Sequence, residues 1–292
     1  MTQNQQMVAV GRKAMPRLSQ GDLRRAVQLA EAAAVVYTDD PLDSPFAVQF
    51  QGGRSATLSD EKGSLPTGYL FVNDAEAVLA FRGTTRITDW VMNFDATQTE
   101  SSTGRVHRGF AGAVDALWPR VLEALESCGQ SRDLWITGHS LGGAVAVLVA
   151  SRLSPAHSLK GVVTFGQPRI GDQQFAEGFR PRLLRFTTER DLVPKLPLGV
   201  LSSYRHCGDG WQLLSNGRLI PRPEEPLPWG EMFRLTQILA QRAKAGQRVV
   251  EELLRPALAE HGMKVYLDRL KLALGTGETA GSVTGPTSEV SG

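Results

Sequence analysis

Trp135-Ile136-Thr137-Gly138-His139-Ser140-Leu141-Gly142-Gly143-Ala144 is the stretch whose reading decides the fold. Residues 134–137 form a β-rich apolar run and 141–153 an apolar run of helical length, so a strand passes through Gly-x-Ser-x-Gly straight into a helix. The turn between them is too tight for side chains at Gly138 and Gly142, which leaves the Ser140 hydroxyl exposed above the sheet edge. The helix start then supplies the Leu141 backbone N–H and the positive end of a helix dipole, both aimed where an oxyanion would form. Taken without its flanks, the pattern reads equally well as a glycine-rich turn with an incidental serine. The strand before and the helix after favour a nucleophile.

Outward from this stretch, strand and helix signals alternate. Upstream, Leu23, Val27, Ala30 and Ala34 recur at helical spacing behind Ser19, predicting a capped helix over 20–37. Short β-rich runs follow at 46–50, 69–72 and 77–81, the last two joined by a turn at Asn73-Asp74. Phe110, Val114, Leu117, Val121, Leu122 and Leu125 predict a helix over 106–127. Downstream, 162–165 is a buried-type strand, 173–179 a short helix behind Asp172, and 183–187 another strand. Together they argue for an α/β fold with a mostly parallel sheet flanked by helices. After Asp191 the pattern changes: 211–214 and 218–220 flank Ser215-Asn216-Gly217 as a hairpin. Pro221, Pro223, Pro226 and Pro228 mark an extended loop, and 231–258 reads as mostly helical with interruptions at Gly246 and Pro256.

The chain has 292 residues, 32 Lys+Arg against 30 Asp+Glu, and 2 cysteines, the profile of an ordinary globular protein able to bury a large core. A formal charge of +2 gives no electrostatic case for nucleic acid as a partner. Cys128 and Cys207 match no metal or redox spacing and read as free thiols. Residues 1–15 contain only the apolar run 7–10, too short for a Sec-type leader, which sets the expectation of a cytoplasmic protein.

A serine needs a base to become nucleophilic, and the base needs an orienting acid; a site of this kind places them in the order serine, acid, histidine. His107 and His139 precede the serine, and His157 precedes any acid at a strand end, so all three read as packing or surface residues. His206 and His261 remain, with His261 slightly preferred because a base at 206 would leave little chain to cross the site. Among acids, Asp172 reads as a helix cap. Asp191 follows the 183–187 strand and precedes Val193-Pro194, which places it at a strand's C-terminal end, with Glu189 as its rival.

Several motifs now resemble one family, the class 3 lipases. They are Phe81-Arg82-Gly83-Thr84 followed by Asp89-Trp90, Val106-His107-Arg108-Gly109-Phe110, the serine elbow, 164–172 (Thr-Phe-Gly-Gln-Pro-Arg-Ile-Gly-Asp), and 191–197 (Asp-Leu-Val-Pro-Lys-Leu-Pro). The resemblance covers about 70–270 and implies an α/β-hydrolase fold with a helical C-terminal insertion before the catalytic histidine. It implies Ser140 as nucleophile, Asp191 as acid and His261 as base, with Tyr266 five residues on. It also implies Thr84 and Leu141 as the oxyanion donors, and a lipid ester, acylglycerol above all, as substrate. A phospholipid or a short soluble ester would use the same triad. No cofactor or metal is implied.

Ile87, Trp90, Val91 and Phe94 fall at helical spacing, and in the family such a segment is the lid; a permanently packed surface helix has the same pattern. Arg234, Arg242, Lys244 and Arg248 stand without an acid between 234 and 248. They suit a solvated cap over the hydrolase body or peripheral contact with a lipid interface or membrane surface. The expected organisation is a polar segment at 1–18, a hydrolase domain at 19–274 including the insertion 229–260, and a disordered tail at 275–292. An inactive scaffold on the same fold would have no use for serine, acid and histidine in this order.

Overall fold

The computed structural model describes residues 18–50, 56–59, 68–84, 87, 96–129, 132–197, 203–222, 252, 255–256 and 258–276. The strands among them are β1 (Ala56–Leu58), β2 (Gly68–Val72), β3 (Glu76–Phe81), β4 (Gln98–Ser101), β5 (Gly104–His107), β6 (Asp133–His139), β7 (Leu159–Phe165), β8 (Leu183–Thr188), β9 (Asp209–Leu213) and β10 (Leu219–Pro221). Eight of these form one sheet in the order β1-β2-β3-β6-β7-β8-β9-β10, parallel from β3 to β9 and antiparallel at both edges. β4 and β5 pair separately. The helices are α1 (Gln20–Val35), α2 (Pro45–Val48), α3 (Arg108–Cys128), α4 (Leu141–Arg152), α5 (Gln173–Gly178) and α6 (Met263–Thr276).

The pleat of the sheet sorts its side chains into two cores. Ala77, Leu79 and Phe81 of β3 face α3 and α4, while Val78 and Ala80 face the opposite layer with Phe165, Phe186 and Trp211. On that second side lie α1, α2 and α6, α6 contributing the buried Tyr266, Leu270 and Ala273. Burying each large apolar side chain contributes about 1.5–3 kcal/mol. α4 is buried from Gly142 to Ala150 because the sheet lies beneath it and α3 packs over it, which is why its sequence has no polar face. This is the α/β fold with a mostly parallel sheet expected from the strand and helix alternation, in the α/β-hydrolase architecture that the family resemblance implies.

Local chemistry sets the element ends. Ser19 and Asp22 form a reciprocal capping box at the start of α1, the Asp22 N–H reaching Ser19 Oγ at 3.0 Å and the Ser19 N–H reaching Asp22 Oδ2 at 3.1 Å. Asn73 Oδ1 accepts the N–H groups of Ala75 and Glu76, closing the β2–β3 turn. Residues 46–50, expected as a strand, lie instead in and just after α2: Ser44 Oγ accepts the Ala47 N–H and Pro45 starts the helix. The helix expected from 106 begins at Arg108, because Val106 and His107 complete β5. β1, β4, β5 and α6 have no counterpart among the expected elements. Cys128 and Cys207 are both buried and free.

Of the expected N-terminal segment 1–18 only Leu18 is described. Of the expected tail, residues 275 and 276 are described and complete α6; the remainder lies outside the described residues. The insertion 229–260 is described only at 252, 255–256 and 258–260, which are helical.

Candidate active site

Ser140 sits between β6 and α4 with φ 58° and ψ −130°, and it is the one non-glycine residue with positive φ among the described residues. Holding an L-residue there costs roughly 1–3 kcal/mol, and the packing on both sides enforces it. A Cβ at Gly138 would overlap the Gly142 backbone, and one at Gly142 would overlap the Phe81 carbonyl at the end of β3. The elbow is therefore pressed against the neighbouring strand, whose next residues are Arg82, Gly83 and Thr84. A Cβ on Gly83 would stand 2.7 Å from the His139 carbonyl and 3.0 Å from Ser140 Cβ, so the residue before Thr84 lies against the serine, and Leu141 opens the helix that follows it.

The expected acid and base come from elsewhere in the chain and meet at the same end of the sheet. Asp191 follows β8, and His261 stands two residues before the start of α6. His261 Nδ1 lies 2.7 Å from Asp191 Oδ2, both side chains being buried. Oδ1 of the same carboxylate accepts the Val193 N–H at 2.8 Å, and the Tyr266 hydroxyl donates to Oδ2 at 2.5 Å. Burial, and then the Asp191 charge, hold the Tyr266 phenol well above its ordinary range, so it remains a donor. The Ser140 N–H reaches the Phe165 carbonyl at 2.9 Å, and a Cβ on the next residue, Gly166, would stand 2.8 Å from the His261 ring and 3.0 Å from Asp191 Oδ2. The end of β7 thus carries the elbow on one side and the His–Asp pair on the other. Ser140 Oγ and His261 Nε2 are buried and have no hydrogen-bond partner among the described residues. The nitrogen opposite the one held by Asp191 is therefore the one left for a proton.

The rival residues have other occupations. Glu189 accepts the Ser215 N–H at 2.9 Å on the surface. His206 Nε2 bonds the Pro194 carbonyl at 2.8 Å, and Arg169 donates to the carbonyls of Lys195 and Pro197, so both brace the loop that carries Asp191. Asp172 caps α5 by accepting the Phe175 N–H at 2.8 Å. His107 caps α3 through Nδ1. Of the expected lid residues, Ile87 is described and helical; Trp90, Val91 and Phe94 lie outside the described residues.

Two features were not anticipated. Tyr266 carried no assigned role, although its spacing from His261 was visible. His139, read as a packing or surface residue, is buried and lies over the His261 ring with centroids 4.5 Å apart. Among the described residues no three His, Cys, Asp or Glu side chains converge as a metal site would require.

Comparison with known proteins agrees with this geometry. Residues 78–201 match the family model for Lipase (class 3). A lipase of Caenorhabditis elegans is 35% identical over 154 residues, covering 47% of this chain and 43% of the relative. A secreted mono- and diacylglycerol lipase of Fusarium solani is 31% identical, covering 47% and 44%. A chloroplastic phospholipase A1 of Arabidopsis thaliana is 27% identical, covering 53% and 41%. The match thus spans less than half the length of these relatives. Among solved structures, the triacylglyceride lipase of Rhizomucor miehei superposes with a TM-score of 0.61 at 23% identity, covering 71% of this chain and 86% of that one. The Fusarium solani relative is secreted by name, which overturns the expectation of a cytoplasmic protein. That expectation rested on the short apolar run at 7–10, which bears on a single export route.

Proposed function

We propose that this chain, which belongs to the class 3 lipase family, is a serine carboxylic-ester hydrolase acting on acylglycerol-type lipid esters. The observation that carries the reading is the buried His261–Asp191 pair at 2.7 Å beside a serine held at positive φ. In the proposed cycle Ser140 Oγ attacks the ester carbonyl while His261 Nε2 takes its proton, and Asp191 stabilises the imidazolium that forms. The Thr84 and Leu141 N–H groups receive the oxyanion. Collapse of the tetrahedral intermediate breaks the C–O bond, and His261 returns the proton to the departing alcohol. Water, deprotonated by the same nitrogen, then attacks the acyl-enzyme and releases the fatty acid and Ser140.

The acylglycerol preference draws on the Fusarium solani relative. A second reading, phospholipid cleavage by the same triad, draws on the Arabidopsis thaliana relative. In both readings the segment starting near Ile87 serves as a lid at a lipid interface. The test is hydrolysis by wild type and Ser140→Ala of 4-nitrophenyl esters of rising chain length, diacylglycerol emulsions and phosphatidylcholine vesicles. The expected result is Ser140-dependent release from diacylglycerol that rises above the substrate's aggregation threshold. Ser140-dependent release from vesicles alone would favour the phospholipase reading, short soluble esters alone an esterase. Activity surviving in Ser140→Ala would reject the mechanism.

A further inference from the structure

Tyr37 lies just beyond the end of α1, far in sequence from the other residues of the site, yet its hydroxyl stands 2.9 Å from His139 Nδ1 and 2.9 Å from the Gly83 nitrogen. His139 Nε2 is in turn 2.7 Å from the backbone carbonyl of His261. The proton positions in this chain follow from the partners. A carbonyl can only accept, so Nε2 carries the proton and Nδ1 presents a lone pair. The Tyr37 hydroxyl therefore donates to Nδ1, and its oxygen accepts the Gly83 N–H. Each link has one direction, and turning the His139 ring over breaks two bonds.

We propose that Tyr37 and His139 are positioning residues, a hydrogen-bonded relay that holds the Gly83-Thr84 backbone and the His261 backbone in register with Ser140. The role rests on the ester-hydrolase reading above. The three segments it joins are the ones whose relative placement the reaction needs: Thr84 follows Gly83, Ser140 follows His139, and His261 is the base. They come from the end of β3, the end of β6 and the start of α6, and among the described residues Tyr37 touches the first two at once. The relay is held at both ends. The Arg82 guanidinium lies over the Tyr37 ring at 5.4 Å, and the His139 ring packs on His261 and, at 5.9 Å, on Tyr266. Burial, then the His261 charge, keeps His139 well below its ordinary range and hence neutral, as the relay requires.

The test uses Tyr37→Phe, which removes only the hydroxyl, and the pair His139→Gln and His139→Leu, of which the first retains an amide donor for the His261 carbonyl. Misplacing reacting groups by about 1 Å costs on the order of 10²-fold. The expected results are a kcat lowered about 10- to 100-fold in Tyr37→Phe and His139→Leu with KM nearly unchanged, and substantial recovery in His139→Gln. Nitrogen-15 NMR of the wild type, with the His139 signal assigned by its loss in His139→Gln, should show that ring neutral and protonated on Nε2 across the pH range of folding. Wild-type kcat in Tyr37→Phe, equal losses in the two His139 variants, or a His139 ring that carries its proton on Nδ1 would overturn the relay. A wild type that neither hydrolyses esters nor is labelled on Ser140 by an alkyl phosphonate would overturn the ester-hydrolase reading and the positioning role with it. An active wild type with unaffected variants would overturn the positioning role alone.

Discussion

The Tyr266 hydroxyl donates to Asp191 Oδ2 at 2.5 Å, sharing that oxygen with the imidazole of His261. The same hydroxyl accepts the Thr188 N–H at 3.3 Å, so Tyr266 joins the end of β8 to the acid. Tyr266→Phe leaves a buried carboxylate short of one donor and the Thr188 N–H without its acceptor. A hydrogen bond to a charged group contributes about 1.5–3 kcal/mol, so chemical denaturation should show a loss of that order. Freer rotation of Asp191 should also lower kcat about tenfold, equivalent to roughly 1.4 kcal/mol. An unchanged kcat would mean that Val193 and His261 alone fix the carboxylate.

Gly166 has φ +61° and abuts both members of the pair. A Cβ there strains the backbone by about 1–2 kcal/mol and displaces the imidazole, so Gly166→Ala should lose about 100-fold in kcat. Gly112 provides the contrast: it lies on the exposed side of α3 with open space around it. Gly112→Ala should stabilise by about 0.5–1 kcal/mol through helix propensity and leave hydrolysis untouched. Ester hydrolysis at wild-type rate in Gly166→Ala would contradict the packing at the end of β7.

Asp191 and Glu189 lie two residues apart, but Asp191 meets His261, the proposed base, while Glu189 accepts the Ser215 N–H. Asp191→Asn keeps the shape but offers an amide where His261 needs an anion, and the loss in kcat should be on the order of 10⁴, as for a serine triad whose acid is neutralised. Glu189→Gln, altering a surface contact to Ser215, should hydrolyse like wild type. Reversed outcomes in a 4-nitrophenyl ester assay would transfer the acid's role to Glu189.

The elbow was legible in the sequence because its chemistry is local: five residues, a strand before and a helix after specify the turn without help from the rest of the chain. Asp191 was legible from its place after β8, and His261 from chain order together with the family's motifs. The region 46–50 was not, because its aromatic and β-branched content matches a strand, whereas Ser44 and Pro45 start a helix whose Phe46 packs on Phe71. α6 has a helical period in Tyr266, Leu270 and Ala273, but that face gains its meaning only against α1. The Tyr37–His139 bond joins residues 102 apart, and no spacing rule reaches across that distance.

Acid stability should follow from two histidines that the fold keeps neutral. Burial is the largest cause lowering both His139 and His206 well below their ordinary value of 6.5; the charge of His261 adds to it for the first and that of Arg185 for the second. Below pH 6.5 the unfolded chain takes up protons at these positions while the folded chain does not, so stability falls as pH falls, until the folded-state values are reached. Each group contributes a slope of about 1.4 kcal/mol per pH unit in that window. Urea unfolding at pH 7, 6 and 5 should therefore show a steep decline, and His206→Gln should make it shallower by about half. His206→Gln serves as the probe because it braces the Asp191 loop from outside the reacting groups, through its bond to the Pro194 carbonyl. A stability that stays level from pH 7 to 5 would mean that both rings accept protons in the folded protein, and the neutral His139 on which the relay depends would be lost.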